Sequence, residues 1–171
     1  METERYSRVA RWLHWGMGLL IIGNLAGGLL HDIDPKLIMP LHKATGILLL
    51  ALVVIRILWR VTHKAPAYPA SMSGMERFLS TGTHHILYLM MVLIPLSGWI
   101  MSSAGERPIG FFGLFDVPKF AVEKGSLLQG ISHEGHELLA FAMIALLVLH
   151  IAAALRHHLV LKDGIMARML G

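Results

Sequence analysis

The chain has 171 residues; 55% are hydrophobic, only 15% are charged, and the net charge is +4. A soluble domain carries about 25% charge, so this is the composition of an integral membrane protein, and Lys/Arg-rich cytoplasmic flanks explain the basic balance without a nucleic-acid partner. There is no cysteine, which excludes disulfides, thiolate zinc sites, iron–sulfur clusters and covalent c-type haem attachment.

Four apolar runs follow along the chain, each near the ~20 residues a membrane span needs. The first is roughly Val9–Leu30, too long and too broken by glycine for a simple signal peptide. The second is roughly Pro40–Trp59, and the third roughly His84–Met101, with Pro95 expected to kink it. Between the third and fourth runs, the apolar piece "PIGFFGLFDVPKF" is broken by proline and glycine and is expected to rest on the membrane interface. The fourth run is roughly Ile131–Leu155.

Basic residues orient these runs. Arg5, Arg8, Arg11, Arg56, Arg60, Lys64, Arg77, Arg156, Lys162 and Arg168 fall on one side; Lys36, Lys43, Arg107, Lys119 and Lys124 fall on the other. The positive-inside rule places both termini in the cytoplasm. The expected fold is therefore an all-α membrane protein, one domain over residues 1–171, built as a four-transmembrane-helix bundle. No internal repeat, phosphate-binding glycine loop or nucleophile elbow is present.

The chemistry lies in the histidines. Of eleven, His14, His42, His136 and His150 fall within the spans, where an unpaired imidazole is costly. His136 and His150 are fourteen residues apart, which puts them within ~40° of one helix face and about 21 Å apart along it. With the orientation above, His14 shares the inner depth with His150, and His42 shares the outer depth with His136. Two bis-histidine sites stacked through a four-helix bundle would hold two b-type haems. The residues four positions beyond these histidines are Gly18, Gly46, Ala140 and Ala154, all small enough for a macrocycle to approach the backbone. Arg56 lies fourteen residues after His42, on the same face at the inner depth, where a haem propionate would be its counter-ion; Arg60, Arg8 and Arg11 are alternatives. His84 is a second candidate for the inner ligand. Other readings are structural histidines or a histidine-lined metal or proton transporter, although the spans carry almost no carboxylates. The methionines read as packing residues. Lys43 either snorkels outward or draws an anion to the outer site.

The segments "RYSRVARWLHW", "LHKATGILLLALVVIRILWR", "HHILYLMMVLIPLSGWIM" and "HELLAFAMIALLVLHIAAALRHH" followed by "KDG" resemble the prokaryotic cytochrome b561 family. The similarity runs over nearly the whole chain and is weakest in the outer loop, Ser103–Gln129. It implies a multi-pass protein of the bacterial inner membrane with two haem b groups. The matching ligand positions are His14, His42, His136 and His150, and Arg56 also falls at a matching position. A member of the family oxidises superoxide and reduces ubiquinone, so the resemblance implies a superoxide oxidase-like oxidoreductase. Superoxide would be steered to the His42/His136 site by Lys36, Lys43, Lys119 or Lys124. Related cytochromes serve dehydrogenases or hydrogenases as haem subunits, which leaves a redox protein partner, or a homo-oligomer, as alternatives. The quinone site is expected either at the outer loop, residues 109–120, or at the inner mouth near His84.

Overall fold

The computed structural model describes residues 5–69 and 71–170. Four long helices dominate: α1 Arg8–Leu29, α2 Pro35–Thr62, α3 Gly74–Ser103 and α4 Leu127–Leu155. Each starts at a side-chain cap. The side chains of Ser7, Asp34, Ser73 and Ser126 accept from the backbone amides of Ala10, Leu37, Glu76 and Gln129, satisfying donors that the first turn leaves free. At α3 the cap is reciprocal, because Glu76 returns a bond to the Ser73 amide. These caps carry three helices past the apolar runs: α2, α3 and α4 start at Pro35, Gly74 and Leu127, ahead of the expected Pro40, His84 and Ile131. Pro40 and Pro95 both lie inside continuous helices.

Helices α2, α3 and α4 with its extension are long and apolar enough to cross a membrane. The fourth helix, α1, is diluted by Trp12, His14, Trp15 and Asn24 and lies along α2. Close packing runs in chain order, α1 on α2, α2 on α3 and α3 on α4. Large apolar side chains such as Leu19, Leu58, Leu89 and Leu149 point outward and are exposed, as expected of surfaces that meet lipid tails. The interior is thin. Met17, Leu49 and Val53 form a small buried plug, packed by Tyr88, Met91 and Val92 among others.

The expectation of an all-helical chain needs one amendment. The connection from α3 to α4 carries an antiparallel hairpin, β1 Ile109–Phe111 with β2 Phe115–Val117. Its turn places Phe112 and Gly113 at φ 50° and 75°, the left-handed pair that matches strand twist. Ile109 and Val117 face each other in register and are buried. Phe111 stacks on Phe115 at 4.9 Å, and β1 packs against α2.

At the opposite end, α4 widens into a π-helical segment, Arg156–Leu161, and stops at Lys162, which is left-handed at φ 49°. There the His157 ring meets Asp163 at 2.5 Å, and the chain turns back. The short helix α5, Ala167–Leu170, lies against the start of the chain: the Tyr6 amide donates to the Arg168 carbonyl at 3.2 Å, and Trp15 Nε1 donates to the Met169 carbonyl at 3.0 Å. Arg168 also donates to the Ala67 carbonyl. The described ends of the chain therefore meet at one end of the bundle.

Candidate functional site

Two groups of histidines meet inside the bundle. At the end nearer the hairpin, His42 of α2 faces His136 of α4 with ring centres 6.0 Å apart and ring planes at 84°. At the other end, His14 of α1 faces His150 of α4 at 6.2 Å and 69°. Both pairs bridge helices that share few close contacts, since close packing among the four long helices runs mainly between chain neighbours. The rings meet across gaps in the bundle.

The spacing has a direct chemical meaning. A metal–imidazole bond is roughly 2 Å long, and the ring nitrogen lies about 1 Å from the ring centre, so two imidazoles flanking one metal stand about 6 Å apart. Both pairs have that separation. Among the described residues, no group of three or more His, Asp or Glu side chains is placed to hold a bare metal ion. Two imidazoles suffice for haem, because the porphyrin supplies the other four ligands. These residues fit a haem.

The outer pair is held by a device used twice. His42 Nδ1 donates to the carbonyl of Asn24 at 3.0 Å, and a Cβ on Gly28 would sit 3.1 Å from His42 Cε1. His136 Nδ1 donates to the carbonyl of Ile94 at 2.8 Å, and a Cβ on Gly98 would sit 2.9 Å from His136 Cε1. In each case the facing helix offers a carbonyl at one position and a glycine four residues on. The carbonyl orients the ring and fixes the proton on Nδ1, which leaves the Nε2 lone pair for a ligand. The glycine clears the space the ring needs. Ser97 Oγ also donates to the Ile94 carbonyl, at 2.8 Å.

The inner group is built differently. Arg56 Nη2 donates to His14 Nδ1 at 3.1 Å, and Arg56 Nε donates to the Tyr88 hydroxyl at 3.0 Å. His84, exposed at the mouth, lies 5.5 Å from His150 and donates from Nδ1 to the Ser80 carbonyl at 2.6 Å. The inner end thus gathers three imidazoles and one guanidinium.

The four histidines and Arg56 fall in these two groups, His42 and His136 in one, His14, His150 and Arg56 in the other, and no bond links the alternatives Arg8, Arg11 and Arg60 to either group among the described residues. Two of the small residues expected beside the ligands have room around them. Gly18 faces open space, and Gly46 meets only the Asn24 amide at 3.8 Å. The glycines that touch the rings, Gly28 and Gly98, sit on the facing helices and escaped the sequence reading, as did Tyr88. His133, in the second turn of α4, and His31, in the turn after α1, make local contacts, with Glu134 at 3.7 Å and Asp32 at 3.2 Å. Above the outer pair, Lys43 is close enough to Lys119 and Arg107 to feel both charges. Lys119 is fixed by the Gly105 carbonyl at 2.6 Å.

Comparison with known proteins agrees with this architecture. The sequence model of the prokaryotic cytochrome b561 family matches residues 5–171. Cytochrome b561 homolog 2 of Escherichia coli (strain K12) is 36% identical over 174 residues, covering 98% of this chain and 92% of that protein. The probable superoxide oxidase CybB of Yersinia pestis is 30% identical over 172 residues, covering 98% of this chain and 96% of that protein. Cytochrome b561 homolog 1 of Escherichia coli (strain K12) is 26% identical over 173 residues.

Proposed function

Because the chain belongs to the prokaryotic cytochrome b561 family, a family of membrane b-type cytochromes that transfer electrons, we propose that it holds two haem b groups and passes single electrons from superoxide to ubiquinone. The observation that carries this reading is the pair of facing histidines at each end of the bundle, 6.0 Å and 6.2 Å apart. His42 and His136 would ligate the outer haem, and His14 and His150 the inner one. When bound, haem iron supplies the one-electron redox chemistry.

The rest belongs to this chain's own residues. The carbonyls of Asn24 and Ile94 hold His42 and His136 in the ligating tautomer. The Met17–Leu49–Val53 plug, with its surrounding apolar side chains, keeps water out of the space between the two sites. Lys43, which feels the charges of Lys119 and Arg107, would help to draw a small anion such as superoxide to the outer end. Each superoxide gives up one electron and leaves as dioxygen. Two such electrons and two protons convert the quinone to quinol. The inner mouth suits the quinone: His84 is exposed there, and its Nδ1 is already committed to the Ser80 carbonyl, which leaves Nε2 free to accept from a hydroquinone. Both termini are assigned to the cytoplasm of a bacterial inner membrane, on the distribution of basic residues.

The relative named as a probable superoxide oxidase supports this choice of donor. The test is steady-state oxidation of superoxide by the purified haem-loaded protein with a soluble ubiquinone. Quinone reduction that stops on adding superoxide dismutase is the expected result. Normal haem spectra with no quinone reduction would remove superoxide as donor and favour a haem subunit serving a partner dehydrogenase or hydrogenase.

A further inference from the structure

We propose that Tyr88 is a positioning residue for the inner site: its hydroxyl anchors Arg56 through Nε, so that the guanidinium can serve an inner-haem propionate and raise that haem's potential. This rests on the inner pair holding a haem, as proposed above.

Arg56 is a cation in the last third of α2, still within its apolar run, where charge is costly unless partnered. Among the described residues, no carboxylate lies within ion-pair distance of it. Its partners are the Tyr88 hydroxyl, 3.0 Å from Nε, and His14 Nδ1, 3.1 Å from Nη2. The guanidinium carbon also lies 5.7 Å from the Tyr88 ring centre, and that ring packs on the Met17–Leu49–Val53 plug. Tyr88 is thus fixed by the core and in turn fixes the arginine.

The two contacts differ in what happens when His14 takes a metal. In the structure, His14 Nδ1 accepts from the guanidinium. With a metal on Nε2, the neutral ring must carry its proton on Nδ1 and becomes a donor there. Two donors cannot share a hydrogen bond, so Nη2 must leave His14. Nothing disturbs the Nε bond to Tyr88. The tyrosine is the pivot, and the released Nη groups form the fork that best fits a carboxylate. A haem propionate is the carboxylate that arrives with the metal. A fixed positive charge beside the site favours the reduced state, which is one unit less positive, and so raises the potential.

The test is a spectroelectrochemical titration of the full-length protein in detergent, comparing wild type, Tyr88→Phe, Arg56→Gln and the double variant. Each single variant is expected to lower the potential of one haem by up to about tenfold in redox equilibrium, which is ~59 mV for one electron, and to leave the other haem unmoved. In the double variant Tyr88→Phe should add nothing to Arg56→Gln, because the tyrosine acts through the arginine. Unchanged potentials in Tyr88→Phe, or an equal shift with and without Arg56, overturns the proposal. If Tyr88→Phe yields no folded protein, Arg56→Lys keeps the charge but removes the Nε donor that Tyr88 holds; the unanchored cation should give a downward shift smaller than that of Arg56→Gln, and unchanged potentials there overturn the proposal equally. A wild-type protein that binds fewer than two haems would instead overturn the reading on which the proposal rests.

Discussion

The rings at the two sites stand nearly perpendicular, at 84° for His42/His136 and 69° for His14/His150. Crossed imidazole planes leave two iron d orbitals close in energy, so both ferric haems should give highly anisotropic low-spin EPR signals. The rhombic signal of parallel planes at either site would contradict this geometry. Gly98 supplies a second prediction at this scale. A Cβ there meets His136 Cε1 at 2.9 Å, against 3.1 Å for Gly28 and His42, and neither ring can retreat without losing its carbonyl bond. Gly98→Ala should therefore lose most of the outer haem, and Gly28→Ala less, with the inner haem kept in both; equal retention in the two variants would argue against ring seating by glycine. The histidine pairs themselves were legible in the sequence, because depth along a span follows from residue count. The glycines, the carbonyls and Tyr88 were not. They act across helix contacts, and the rotation of one helix against another does not follow from spacing within either.

The helices were legible as apolar runs, but their starts were not, because hydropathy ignores capping. Ser126 carries α4 back to Leu127, and Ser73 with Glu76 carries α3 back to Gly74. Ser126→Ala should cost about 1 kcal/mol of stability, measured by thermal unfolding in detergent, with haem spectra unchanged; no loss would mean the cap contributes nothing. The amendment at the hairpin has a similar cause. Apolar residues broken by proline and glycine read as an interfacial loop, whereas Ile109 opposite Val117 and the turn at Phe112–Gly113 make a paired ribbon. That ribbon packs against α2, the helix carrying His42, and so roofs the outer site.

As a whole, the molecule is a bundle whose buried core is small and whose histidines meet across gaps between helices. The described chain ends meet at one end of the bundle, joined by Tyr6 to Arg168 and Trp15 to Met169. If that end faces the cytoplasm, as proposed from the excess of basic residues, a fluorescent protein fused to the C-terminus should fold and fluoresce in cells, and a dark fusion whose alkaline phosphatase counterpart is active would reverse the orientation. Two bis-histidine haem sites, as proposed, would fix the ratio of haem b to protein in purified wild type and in His42→Ala. Two haems per chain, falling to one with the inner haem's spectrum intact, is the expected result. A colourless wild type, or two haems retained after His42→Ala, would contradict it.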